Sequence, residues 1–145
     1  MRCYQIYWIE NEFATFFYGK ERIFYSLFYQ WKQSNGHFKD ILHKQVEYIT
    51  KPIPFLQIQK MIHAELSKKG INFKVGDQVI LEDGQGNGAK LEIYDRYISI
   101  DSWGNDIQEA IFFEILRKDS GRLLAVDTVN EQFGWLRPIK QRKYV

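Results

Sequence analysis

The sequence predicts a mixed α/β (α+β) fold: one mixed, largely antiparallel sheet flanked by helices. Three observations predict it. The segments "DQVILE", "AKLEIYD" and "RYISID" alternate apolar with polar residues and are separated only by turn residues, the pattern of an antiparallel meander. Helical periodicity lies on both sides of that meander, in Phe55, Ile58, Ile62 and Leu66 before it and in "IQEAIFFEILRK" after it. Strand-like runs stand near both ends, "YQIYWIE" and "LLAVDTV", so strands and helices interleave within one unit. A chain of 145 residues fits a single domain, 1–145, with an ordinary core.

The first run alternates Tyr4, Ile6 and Trp8 with Gln5, Tyr7 and Ile9 and is rich in β-favouring aromatics. Glu10, Asn11 and Glu12 then offer caps and first-turn negative charge for a helix through Tyr18, with Gly19 as its stop. A second helix follows, on the spacing of Phe24, Leu27, Phe28 and Trp31. "QSNGHFKD" reads as a polar loop, and "DILHKQVEYIT" as a short helix closed by Pro52, because proline pushes the residue before it out of the α region. "KPIP" must run extended. The helix from Phe55 has Met61 beside its stripe and Gly70 after its end, and Asp106 with Glu109 has the spacing of a capping box for the last helix. "FGWLRPIKQRKYV" reads as an irregular tail.

Composition excludes several classes of function. Hydrophobic residues make up 45% and charged residues 26%, the balance of a globular domain. Twenty Lys and Arg against eighteen Asp and Glu leave a net charge of +2, so neither a phosphate backbone nor anionic lipid is the default partner. The single Cys3 excludes an intramolecular disulfide. No apolar run approaches the roughly 18 residues that span a bilayer. With no leader pattern at the start, the expected location is the cytoplasm.

Catalytic signals are weak. Gly84, Gly86 and Gly88 in "DGQGNG" have the look of a phosphate loop, but a strand follows where a helix N-terminus is needed, which favours a hairpin. His43 with Glu47, and His63 near Glu65, lack the third converging ligand that a metal requires. Cys3 has no paired base. Asp127 reads as a strand-end carboxylate taking backbone hydrogen bonds. Arg137, Lys140, Arg142 and Lys143, near Trp135 and Tyr144, offer a grip on nucleic acid, but one basic stretch in a near-neutral chain is more often a solvated terminus.

The most unusual stretch is "NEFATFFYGKERIFYSLFYQW", residues 11 to 31, with nine aromatics spread over most of a helical wheel. Core packing accounts for one apolar face, because aromatic stripes at helical spacing are usually core. Two faces are apolar here.

Four motifs in order, "EFATFFYGKE", "QVEYITKPIP", "AIFFEILRK" and "FGWLRPIKQRKYV", closely resemble the sporulation inhibitor of replication (SirA) family of spore-forming Bacillus-type bacteria. The resemblance spans nearly the whole chain and is weakest at "QSNGHFKD" and from Ser67 to Asp101. It implies a binding protein and not an enzyme, one that binds the N-terminal domain of the replication initiator DnaA and restrains chromosome replication at sporulation. Residue by residue, it implies partner contacts at Phe13, Phe17, Gln45 and Tyr48; tyrosine is the family alternative at Phe17, so this chain lacks a hydroxyl there. No cofactor, no direct nucleic-acid binding, no membrane partner and a monomeric free state are expected. Phe13 with Phe17 and Gln45 with Tyr48 are spaced to share helix faces, making one aromatic patch with a polar edge.

The element order also resembles a truncated acetyltransferase of the GNAT type, but that family's glycine-rich pyrophosphate loop is replaced by "DSWGND". Two alternatives stay open beside the inhibitor: an acyltransferase-like enzyme with an unrecognised cofactor loop, and a small nucleic-acid-binding module.

Overall fold

The computed structural model describes residues 1–119 and 121–137. Its elements are β1 (Arg2–Ile9), α1 (Asn11–Phe16), α2 (Arg22–Gln33), α3 (Gly36–Ile49), α4 (Phe55–Lys68), β2 (Lys74–Val75), β3 (Gln78–Glu82), β4 (Gly88–Ile93), β5 (Ile98–Trp103), α5 (Ile107–Leu116), β6 (Arg122–Asp127) and β7 (Gln132–Trp135). The strands form one sheet in the order β2-β3-β4-β5-β1-β6-β7. The α/β class and the flanking helices are as expected, and so is the meander. The sheet is not mixed, however: every pairing among the described residues is antiparallel.

β1 lies between β5 and β6, with Tyr4 opposite Ile100 and Tyr7 opposite Leu124. Both of its faces are covered, which explains why both sets of its alternating residues are apolar. Ile6 enters a core with Ile58, Ile62 and Leu66 of α4 and Phe112, Ile115 and Leu116 of α5. Tyr7 and Ile9 enter a second core with Phe24, Tyr25 and Phe28 of α2 and Val46 of α3. The rings of Tyr7 and Phe28 stack with centroids 3.7 Å apart, and the Tyr7 hydroxyl donates to Gln5 Oε1 at 2.8 Å. Burying a Phe ring of this kind stabilises the fold by about 1.5–3 kcal/mol.

Several expectations need correcting. Most of "QSNGHFKD" is not loop, since α3 begins at Gly36 and only Ser34 and Asn35 separate it from α2. Gly36 has φ +64, a conformation that lets the chain reverse tightly, and packing against α2 then overrides the weak helical pattern of the segment. α1 ends at Phe16, two residues before the expected Tyr18, and its N-cap, Glu10, makes no side-chain capping bond. Gly19, at φ +80, makes the turn into α2. Phe55 is 45% exposed, so the buried stripe of α4 starts at Ile58. The expected irregular tail contains β7, whose Phe133 pairs with Val126. β2 was not expected at all.

The expected capping box at α5 is also absent: Asp106 makes no side-chain capping bond. Glu109 is buried and accepts from Arg2 Nε and from Ser102 Oγ at 3.1 Å. It ties the start of β1 to α5. Among the described residues no helix is long and apolar enough to cross a membrane.

Candidate protein-binding groove

The end of β1 is fastened to the end of α3. Glu10 N–H donates to the Ile49 carbonyl at 2.8 Å, Lys51 N–H donates to the Trp8 carbonyl at 2.7 Å, and Ile9 bridges Thr50. α1 therefore starts beside the last turn of α3. That contact brings Phe13 against Tyr48, with ring centroids 5.2 Å apart and planes at 59°.

One turn later, Phe17 meets Phe24 of α2 edge to face, at 5.5 Å. Ala14, fully buried, points the other way into the core. The three helices enclose a groove of about 490 Å³ lined by Phe13, Phe17, Ile23, Phe24, Leu27, Lys44, Gln45, Tyr48 and Ile49. All four residues singled out from the sequence line it. They differ in exposure: Tyr48 is 74% exposed and Gln45 is exposed, whereas Phe13 and Phe17 are half-buried and pack on the aromatic core. Phe16, 76% exposed, stands beside Phe17 with centroids 4.8 Å apart.

Sequence reasoning missed Ile23, Leu27, Lys44 and Ile49. Ile23 and Leu27 are an i,i+4 pair, but Leu27 also fits the core stripe of α2, and nothing in the sequence tells which side of α2 faces α1. Lys44 is the one charged residue of the lining, set at the rim.

Behind the groove, α3 is held in place by charge. His43 Nε2 lies 2.9 Å from Glu47 Oε1, Arg96 Nη2 lies 3.6 Å from Glu47 Oε2, and Arg96 Nη1 donates to the Thr50 carbonyl at 3.3 Å. Glu47 and the Thr50 carbonyl thus join the end of α3 to Arg96 of the β4–β5 turn, while the His43–Glu47 contact stays within α3. Each such surface pair contributes little alone.

Several of the remaining candidates have structural roles. In the β3–β4 loop, Asp83 Oδ2 accepts from the Asn87 side chain and its Oδ1 from Gln85 N–H and Asn87 N–H, and these bonds, the Asn87 side chain first, hold its carboxyl below the usual range. Cys3 is partly buried, and burial with a hydrogen bond to Asp101 pushes its thiol pKa up, opposite to what a nucleophile needs. Asp127 Oδ1 accepts from Val129 N–H and Asn130 N–H, as expected for a strand-end carboxylate. At the start of α5, Ile107 N–H donates to Asn105 Oδ1, and Arg2 donates to the Gly104 and Asn105 carbonyls. Trp135 Nε1 donates to Glu21 Oε1 at 3.2 Å, which places it in the fold and not in a basic grip. Lys140, Arg142, Lys143 and Tyr144 lie outside the described residues.

A second groove, about 540 Å³, lies beside α5 and β7 and includes Tyr4, Phe113, Arg117, Asp127 and Leu136. Arg117 Nε donates to the Leu136 carbonyl there at 2.9 Å. Burial, with Glu109 nearby, raises the Tyr4 hydroxyl to about 12.

Two comparisons bear on this chain. Residues 2–140 match the family model described as "Sporulation inhibitor of replication protein SirA". The sporulation inhibitor of replication protein SirA of Bacillus subtilis (strain 168) is 34% identical to it over 149 residues, covering 99% of this chain and 99% of the relative.

Proposed function

The chain belongs to the SirA family of sporulation inhibitors of replication, and from that premise we propose that it restrains chromosome replication at sporulation by docking the α1–α3 groove onto the N-terminal domain of the initiator DnaA. Members of this family are not known as enzymes. One observation carries the proposed surface: Phe13, Phe17, Gln45 and Tyr48, which lie on two separate helices, line a single groove.

Its chemistry suits a protein partner. Aromatic rings half-buried in the free molecule are held in place before binding, so little side-chain freedom is lost on docking. Gln45, Tyr48 and Lys44 supply a polar rim around an apolar centre, the usual anatomy of an interface. On this reading the protein works in the cytoplasm as a monomer, without cofactor or direct contact to nucleic acid. The likeness to a truncated GNAT acetyltransferase stays at the level of element order, and a shared order confers no activity.

The experiment is a titration of the isolated N-terminal domain of DnaA against the full chain and against Tyr48→Ala. Saturable binding by the parent chain, weakened by the substitution, is the expected result. An absence of binding by the parent chain rules out this partner, and binding that ignores Tyr48 rules out this groove.

A further inference from the structure

Asn35 and Asn87 are the two asparagines that glycine follows, and the fold treats them in opposite ways. Asn87 is locked: its Nδ2 donates to Asp83 Oδ2 at 2.7 Å, its Oδ1 accepts from Asn105 N–H at 2.8 Å, and its backbone N–H donates to Asp83 Oδ1 at 3.2 Å. Gly88 after it is buried in β4, with the Trp103 indole pressed where a Cβ would stand. Asn35 is exposed and makes no side-chain capping bond, although it is the N-cap of α3. Gly36 is also exposed, and apart from its chain neighbours and its own helix backbone nothing lies within 4 Å of where its Cβ would be. As the first residue of α3, its N–H is one of those that find no acceptor within the helix.

We infer that Asn35 is a site of spontaneous covalent modification, converting to aspartate and isoaspartate through a succinimide formed with Gly36, while Asn87 is protected by its bonds. The Gly36 backbone nitrogen loses its proton to base and attacks Asn35 Cγ. The new C–N bond closes a five-membered ring, and the side-chain nitrogen leaves as ammonia. Water then opens the ring at one of its two carbonyls, giving aspartate or the isoaspartate whose chain runs through the side-chain carbon. One water enters and one ammonia leaves, with no oxidant or reductant.

Glycine makes the attack possible at Asn35 because no side chain screens its nitrogen and its backbone turns freely. Either product places a carboxylate beside the free N–H groups that open α3, where a negative charge is favoured. Isoaspartate also lengthens the backbone by one carbon at the two-residue connection between α2 and α3. The modified helix is the one that carries Gln45 and Tyr48.

The test is incubation of the full chain at mildly alkaline pH, followed by peptide mapping by mass spectrometry, with enzymatic methylation of isoaspartyl carboxylates as a second readout. In the folded protein, the peptide containing Asn35 should convert at least about tenfold faster than the one containing Asn87, whose carboxamide must first leave its hydrogen bonds. In strong denaturant the two rates should converge. Asn35→Gln should abolish most of the folded-state signal and Asn87→Gln should leave it unchanged. Equal folded-state rates at the two sites, or faster conversion of Asn87, overturn the inference.

Discussion

Phe13 and Tyr48 meet with ring centroids 5.2 Å apart although one ring is half-buried and the other is 74% exposed. The pair joins the aromatic core to the surface, and its two members should respond differently to truncation.

Tyr48→Ala should change stability by no more than about 0.5 kcal/mol, as for an ordinary surface position. Phe13→Ala should cost about half of the ~3–5 kcal/mol of a fully buried Phe. Both should weaken binding to the DnaA N-terminal domain by at least about 2 kcal/mol, roughly thirtyfold. Denaturant melts and titration calorimetry on the two variants check this. A Tyr48 variant that melts far below the parent but binds normally would return that ring to the core.

Phe28→Ala provides the contrast. Phe28 is fully buried and stacked on Tyr7, so its removal should cost about 3–5 kcal/mol, a large part of the stability of a small domain. A clear fall in melting temperature is expected, and loss of the groove only where the protein itself unfolds.

Glu92 and Tyr94 should reveal themselves in pH titrations. The Tyr94 hydroxyl donates to Glu92 Oε2 at 2.7 Å and Gln78 Nε2 donates to the same oxygen at 3.2 Å. These bonds lower the Glu92 pKa, and the bond to Glu92 raises Tyr94 to about 12. For Glu92, the stability gained is present above its unfolded pKa and lost as pH falls through the lowered folded value. For Tyr94, it is present below the unfolded value of about 10 and lost as pH rises toward the folded one. Glu92→Gln should flatten the acid limb and move one tyrosinate absorbance step to lower pH; an unchanged alkaline titration would show that the bond does not hold in solution.

Acetyl-CoA should produce no heat on titration. The Ile107 N–H that opens α5 already donates to Asn105 Oδ1, and Glu109 places a carboxylate in the first turn, where a pyrophosphate would need an open, positive site. Saturable micromolar binding would show that this end of α5 opens.

Much of the fold was legible in the sequence because its periodicities are strong. The three meander strands alternate cleanly, and Ile58, Ile62 and Leu66 fall on one stripe. What was missed has local signals too weak or misleading to read. β7 is four residues long with Gly134 inside it, and the first turn of α3 is polar and opens on a glycine. Glu109 has the spacing of a cap, but it is drawn to Arg2, which arrives from the other end of the chain. The four groove residues rested on resemblance; the helix packing that brings them together depends on the β1–α3 fastening, which no local pattern encodes.

The position of β1 has a kinetic consequence. Its partners are β5 and β6, with Tyr4 opposite Ile100 and Gln5 opposite Val126. β1 is made before both partner strands and, apart from the Ile9–Thr50 bridge, is paired by segments made much later, and such distant contacts slow folding. Until β6 emerges, β1 can pair only with β5, and its other edge, from Gln5 to Ile9, stays open. Stalled nascent chains that end before residue 122 should remain protease-sensitive across β1, and chains long enough to release β6 from the ribosome should become resistant in a single step.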